Sequence, residues 1–90
     1  MELENLLKGL NTATKRRIVQ LLAKKDMSAP ELYERLNGLA PKYRQSVNKP
    51  LDQLDSAGIV EKYYDKEKKA LIYHLVKDHY TIDLVSLIVT

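Results

Sequence analysis

The chain has no cysteine among its 90 residues, and glycine and proline occur only three times each. Without cysteine it can form no disulfide, no thiolate metal site, and no cysteine nucleophile or redox sensor. Its two histidines would need carboxylates to complete a structural zinc site, so we expect no metal and no cofactor. The scarcity of glycine and proline argues against long flexible linkers.

Features of exported, membrane-spanning and catalytic proteins are missing as well. The sequence starts with acidic residues and lacks the basic start and apolar run of a signal peptide. Its most apolar stretch, residues 80–89, is half as long as the about 20 residues that a membrane-spanning helix needs. We find no glycine-rich phosphate loop and no nucleophile paired with a base and a third orienting group. We therefore expect a cytoplasmic protein that is not an enzyme and has neither a membrane partner nor a small-molecule substrate.

The composition is that of one folded domain spanning residues 1–90. Hydrophobic residues make up 44% of the chain and charged residues 30%, which is typical of a folded protein rather than a disordered tail. A chain of this length supplies apolar surface for one core only. The net charge of +3 permits a nucleic-acid partner, but the placement of the charges matters more than their total.

Apolar spacing and capping residues predict three helices before residue 40. The first covers residues 2–10, and the second is capped by Asn11 or Thr12. The third is short, because it begins with a capping box of Ser28 and Glu31 and ends near Gly38. The apolar stripes of the first two helices consist of Leu3, Leu6, Leu7 and Leu10, and of Ile18, Leu21 and Leu22.

Five cations accompany the second helix without belonging to its apolar stripe. They form either a solvated helix face, which is the simpler interpretation, or contacts with the phosphates of a nucleic acid. These cations are Lys15, Arg16, Arg17, Lys24 and Lys25.

A fourth helix is predicted from Pro41 onward, although Pro50 interrupts its hydrogen bonding. Because proline has no backbone N–H, either one helix kinks at Pro50 or two short helices meet there, with Asn48 capping the second. The apolar spacing continues across Pro50, so we favour one kinked helix. The apolar face consists of Tyr43, Val47, Leu51 and Leu54.

The rest of the chain is predicted to form a hairpin and a terminal helix. Residues 59–64 and 70–76 read as two antiparallel strands, with a polar turn between them and His74 as a strand residue without an assigned role. Residues 79–89 fit either a helix or a strand, and we expect a helix that covers the edge of the small core. On such a helix His79 and Asp83 would share a face, but with only Asp78 nearby they make an incomplete metal site.

The order of four helices and a β-hairpin is that of a winged helix–turn–helix domain, which is mainly α with a small antiparallel β-hairpin (α+β). The sequence resembles ArsR-like regulators (the ArsR/MarR/PadR type) in motifs at residues 6–10, 15–22, 28–36, 46–54 and 57–60.

The sequence also departs from this family in three places. The segment of residues 37–45 is longer than the usual turn of the family, and Pro50 stands where the family commonly carries histidine. The third helix has no cysteine pair, which removes the thiolate metal sensing of some members.

The resemblance implies that the fourth helix enters the major groove of DNA with its N-terminal half facing the bases. The residue types suit this role, because arginine pairs with guanine, and glutamine and asparagine pair with adenine. Residues 41–49 hold three cations and no anion. An exposed amphipathic helix without a ligand is the simpler alternative. The predicted DNA contacts of this segment are Lys42, Tyr43, Arg44, Gln45, Ser46, Asn48 and Lys49.

Lysines of the hairpin, or wing, form a second predicted contact with DNA phosphates. Lysines at such a position can instead protect a sheet edge from aggregation. The residues are Lys62, Lys66, Lys68 and Lys69.

More apolar side chains lie near the two termini than one small domain can bury. We expect the terminal helices, residues 2–10 and 79–89, to pair across a two-fold axis, although these side chains could instead close the core of a monomer. The predicted interface residues are Leu3, Leu6, Leu7, Leu84, Val85, Leu87 and Ile88.

The function expected from these features is that of a homodimeric, sequence-specific transcriptional repressor. It would bind a pseudo-palindromic site in double-stranded DNA. The alternatives are an architectural, chromatin-like DNA-binding protein with little sequence specificity and a winged-helix module that binds proteins.

Overall fold

The computed structural model describes all residues from 1 to 90, with helices in the first two thirds of the chain and most of the strands in the last third. The winged helix–turn–helix architecture and the α+β fold class predicted from the sequence are confirmed. The helices are α1 (Leu3–Gly9), α2 (Ala13–Leu22), α3 (Ala29–Leu36) and α4 (Asn48–Ser56), with 3-10 turns at Asn37–Leu39 and Arg44–Val47. The strands are β1 (Met27–Ser28), β2 (Val60–Asp65), β3 (Ala70–Leu75), β4 (Ile82–Asp83) and β5 (Ile88–Val89).

The wing is the antiparallel hairpin of β2 and β3, as the sequence predicted. Its register runs from Val60 opposite Leu75 to Asp65 opposite Ala70. Strand β1 adds to the other side of β3, with Met27 opposite Tyr73. The two residues of β1 are too few to produce a periodic pattern, so this strand cannot be predicted from the sequence.

Side-chain caps start α2 and α3 where the sequence predicted. The hydroxyl of Thr12 accepts a hydrogen bond of 3.2 Å from the backbone N–H of Lys15. The hydroxyl of Ser28 accepts one of 3.4 Å from the backbone N–H of Glu31. Each bond satisfies a backbone donor that the first turn of the helix leaves without a partner.

The core lies where α2, α3 and α4 meet the inner face of the wing. Its fully buried members include Ile18, Leu32 and Leu51, each 0% exposed. Leu6 of α1 and Val89 of β5 join the same cluster, so both ends of the chain pack against one core.

The prediction of one kinked helix from Pro41 is wrong. Residues 41–43 are not helical, Arg44–Val47 form a 3-10 turn, and α4 begins at Asn48. Pro50 is the third residue of α4, where a backbone N–H would have no acceptor within the helix, so its ring is accommodated without a kink. The alternative of two short helices describes this segment better, although Val47 rather than Asn48 occupies the cap position.

The prediction of a helix over residues 79–89 is also wrong, because this segment folds into the hairpin of β4 and β5. The Asp83 carboxylate accepts hydrogen bonds from the backbone N–H groups of Val85 (2.9 Å) and Ser86 (3.1 Å). Such a turn competes with helix formation. Leu87 has a φ of 61°, outside the helical region. The N-terminus stabilises the hairpin further, since the backbone N–H of Val89 donates to the carbonyl of Met1 at 2.8 Å.

No helix of the chain combines the length and the apolar character that crossing a membrane requires.

The turn in which the Asp83 carboxylate accepts two backbone hydrogen bonds predicts how the carboxyl group of Asp83 titrates. Its hydrogen bonds with the backbone of Ser86 and Val85 hold the pKa of Asp83 below the ordinary value of 3.8. The turn is therefore intact above that pH and is lost as the pH falls through the lowered pKa. We expect a carboxyl NMR titration to give a lowered pKa, and Asp83→Ala to speed amide exchange at Val85 and Ser86. An ordinary pKa together with helical Cα shifts over residues 79–89 would contradict the hairpin.

Candidate nucleic-acid interface

Two side chains of α3 position the segment that leads into α4. The hydroxyl of Tyr33 donates a hydrogen bond of 3.5 Å to the carbonyl of Lys42. The guanidinium of Arg44 lies 3.2 Å from a carboxylate oxygen of Glu34 and 5.8 Å from the ring centre of Tyr33. These contacts hold Arg44 at the surface in a defined orientation, although the chain around it is not α-helical.

The structure brings the seven predicted DNA contacts of this segment together on one stretch of surface. Val47 is buried in the core and holds the 3-10 turn in place. Ser46 is half-buried beside it. The exposed members are Lys42, Tyr43, Arg44, Gln45, Asn48 and Lys49.

The exposed face of α4 extends this surface beyond the residues predicted from the sequence. Asp52, Gln53 and Ser56 follow Lys49 at the i+3, i+4 and i+7 positions, and all of them are exposed. In the major groove a glutamine can pair with adenine, and an aspartate can accept from the amino group of cytosine. The signal was present in the sequence, because these positions alternate with the buried Leu51 and Leu54.

The wing lysines occupy two separate places. Lys62 lies at the base of the wing, where its ammonium is 3.9 Å from a carboxylate oxygen of Asp55 on α4. The three other lysines lie in the exposed turn, which Asp65 organises by accepting hydrogen bonds from the backbone N–H groups of Glu67 and Lys68. These lysines, Lys66, Lys68 and Lys69, take part in no ion pair. Only these three present free positive charge at the tip.

A cluster of polar side chains that the sequence did not predict fixes the base of the wing to the loop before β1. The two carboxylate oxygens of Asp26 contact the Nδ1 atom of His74 on β3 and accept a hydrogen bond from the hydroxyl of Tyr63 on β2, each at 2.8 Å. The hydrogen bond from His74 lowers the pKa of Asp26. The same bond raises the pKa of His74 above its ordinary value of 6.5.

The incomplete metal site considered from the sequence does not form. His79 and Asp83 share no helix face, because residues 79–89 form a hairpin. Instead the Nδ1 atom of His79 lies 2.6 Å from a carboxylate oxygen of Asp78, and this contact lowers the pKa of Asp78. Nowhere in the chain do three or more histidine, aspartate or glutamate residues gather in a group that could hold a metal ion.

The predicted dimer residues fall into two groups. Leu6 is only 6% exposed and belongs to the core, and Leu3 is partly buried against it. The others are exposed on α1 and on the terminal hairpin, with Leu84 at 77% and Val85 at 97%. We call this surface the terminal apolar patch; it consists of Leu7, Leu84, Val85, Leu87 and Ile88.

Comparisons with known proteins find similarity to a regulator among solved structures. No family model and no curated protein matches the chain. Among solved structures, the chain is similar to the ferric uptake regulator (Fur) of Vibrio cholerae, whose crystal structure revealed a rearrangement of its DNA-binding domains. The TM-score is 0.59 and the sequence identity is 26%, and the match covers 88% of this chain and 65% of the Fur chain.

This similarity supports a regulator of the winged-helix type but not the specific ArsR/MarR/PadR resemblance. The matched protein is a regulator rather than an enzyme, which agrees with the expectation that this chain is not an enzyme. The chain spans 65% of the length of the Fur chain, so what the whole Fur protein does is not carried over as a finding.

The ion pair between Asp26 and His74 at the base of the wing predicts that the thermal stability of the protein depends on pH. Because Asp26 raises the pKa of His74, the ion pair is complete below the ordinary histidine pKa of 6.5 and is lost as the pH rises through the raised value. We expect the Tm to fall by a few degrees between about pH 6 and pH 8, since an exposed ion pair contributes about 0.2–1 kcal/mol.

The control is the second histidine, which lies outside the wing. His74→Gln should remove the pH-dependent part of the Tm, whereas His79→Gln should retain it. An equal pH dependence in wild type and His74→Gln would show that this pair does not anchor the wing.

Proposed function

We propose that the chain is a DNA-binding transcriptional regulator that reads duplex DNA with α4 and the 3-10 turn before it. The observation that carries this proposal is the surface of residues 42–49. It is free of acidic side chains, continuous with the exposed face of α4 and placed on a winged-helix scaffold similar to that of a regulator. An α-helix fits the major groove, where each base pair presents a distinct set of donors and acceptors.

Arg44 is the main candidate for reading a base. Its ion pair with Glu34 is exposed on both sides, so releasing the arginine to a guanine costs only about 0.2–1 kcal/mol. A bidentate contact with the O6 and N7 atoms of guanine outweighs this cost. Gln45, Asn48 and Gln53 can pair with adenine in the same groove.

Lysines on both sides of this surface suit the phosphate backbone. Lys42 and Lys49 lie on either side of Arg44, Gln45 and Asn48 along the chain, and the tip lysines lie in the exposed turn of the wing. Phosphate contacts fix the position of the protein on the duplex without reading sequence. Lys62 can join these lysines, because its ion pair with Asp55 at 3.9 Å is exposed and, like that of Arg44, costs little to release.

The terminal apolar patch supports a homodimer. Leu7, Leu87 and Ile88 line one surface cleft, and Leu84 and Val85 are exposed in the turn of the same hairpin. An apolar surface of this kind is unusual on a monomer. Two copies joined through the patch would present two α4 helices to one face of DNA, about 34 Å apart and thus suited to a pseudo-palindromic site. Such a protein would act in the cytoplasm as a repressor that occludes its site.

Arg44→Ala tests the base-reading role. We expect it to weaken binding to a specific site by about 1–3 kcal/mol and to relax the preference at one base position. Lys24→Ala removes a cation outside the proposed surface and should leave affinity nearly unchanged. The measurement is fluorescence anisotropy with specific and scrambled duplexes at fixed salt.

Three outcomes separate this proposal from its alternatives. Equal loss on specific and scrambled duplexes would indicate an architectural protein with little sequence specificity. Binding to neither duplex would point to a module that binds proteins. An unchanged affinity of Arg44→Ala for the specific site would exclude base reading by Arg44.

The dimer is tested by sedimentation at micromolar concentration. We expect wild type to sediment at twice the mass of the 10.4 kDa chain, and Val85→Lys to sediment as a single chain because the lysine would carry charge into the interface. Val76→Lys, at another exposed valine outside the patch, should remain dimeric. A wild-type species of 10.4 kDa would refute the dimer.

A further inference from the structure

Lys15 is a buried cation without an anionic partner. Its side chain lies at the start of α2, and the residue is only 6% exposed. The ammonium donates hydrogen bonds to the carbonyl of Lys8 at 3.0 Å and to the side-chain oxygen of Asn11 at 3.1 Å. No carboxylate lies within ion-pair distance of it. A buried charge held only by neutral groups is costly, so this arrangement calls for an explanation.

The ammonium borders a polar cleft between α1, the start of α2 and α4. The cleft has a volume of about 540 Å³ and is lined by nine residues, of which one is hydrophobic. Lys8 and Lys49 line it together with Lys15, and Asp52 is the only acidic residue among the lining residues. The remaining lining residues are Asn5, Asn11, Gln53, Ser56 and Ala57.

We propose that this cleft binds a phosphate of the DNA backbone. The proposal rests on the proposed function, since one wall of the cleft is the exposed face of α4. A helix lying in the major groove has a phosphate backbone on each side. The α1 side of α4 would then bring one of these strands to the cleft, where Lys15 supplies positive charge and Asn11 supplies an amide. Lys8 adds its charge once it leaves its exposed ion pair with Glu4 (3.2 Å), which costs little.

The chemistry of the cleft favours an oxyanion over a neutral ligand. An ammonium has three N–H donors, and two of those of Lys15 are used within the protein. The third can be given to an incoming phosphate oxygen, which also brings the negative charge that Lys15 lacks in the free protein. The cleft, with a volume of about 540 Å³, has room for a phosphate and part of its neighbouring sugars.

The test compares the salt dependence of DNA binding between variants. Lys15→Met keeps an unbranched apolar side chain that is one atom shorter than lysine, and it removes the charge. We expect the slope of log K against log[salt] to become shallower by about 0.9, the value for one lost phosphate contact. The loss should be equal on specific and non-specific duplexes, because a phosphate contact carries no sequence information. The matched control Lys24→Met, at an exposed lysine after the end of α2, should keep the wild-type slope.

Thermal unfolding shows whether Lys15→Met folds. If it does not fold, a second variant still tests the phosphate site. Lys8→Gln changes an exposed side chain that lines the same cleft, and it should also make the slope shallower. A wild-type slope in the folded cleft variants would overturn the phosphate site while leaving DNA binding itself intact. Wild type that binds no duplex would instead overturn the proposed function.

A titration with inorganic phosphate distinguishes a DNA phosphate from a free anion. The readout is the amide NMR signals of Asn11, Lys15 and Gln53 in DNA-free protein. We expect only small, non-saturating shifts, because a single phosphate lacks the contacts that the rest of the duplex provides. Saturable shifts combined with an unchanged salt slope would identify a site for a free anion and overturn the proposal.

Discussion

The packing of α4 against the core is the constraint on which the rest of the molecule depends. Val47, Leu51 and Leu54 are at most 1% exposed and pack into the same cluster as Ile18 and Leu32. Each buried side chain of this size stabilises the fold by about 1.5–3 kcal/mol. Because these residues fix the rotation of the helix, the opposite face is necessarily turned outward. That outward face carries the groups that can meet a nucleic acid.

The elements around α4 extend this surface in different directions. The Asp26 cluster holds the base of the wing, so the tip lysines are carried on an anchored hairpin rather than on a free loop. On the other side, α1 and the start of α2 form the polar cleft with Lys15. The terminal hairpin buries Val89 in the core, while its exposed Leu84, Val85, Leu87 and Ile88 supply the surface proposed for a second copy. One small core thereby supports the helix proposed to read bases, the two flanks proposed to contact phosphates and the surface proposed for pairing.

The sequence predicted the parts that depend on local chemistry. Thr12 and Ser28 start helices because their hydroxyls satisfy backbone donors nearby, and the wing register follows from two β-branched runs around a polar turn. The parts it missed depend on distant contacts. The apolar pattern of residues 79–89 fits both a helix and a strand. Backbone hydrogen bonds with the segment Met1–Leu3 favour the hairpin. The ammonium of Lys15 is held by a hydrogen bond to the carbonyl of Lys8, which the tertiary fold brings close to it. The spacing of residues along the chain does not predict this contact.

Selection of bound sequences from a random duplex pool tests the central claim, sequence reading by α4, most directly. The account predicts enrichment of a pseudo-palindrome whose two half-sites lie about 10 base pairs apart, the spacing of two helices in successive major grooves. Retention of DNA without any enriched sequence, or no retention at all, would contradict it.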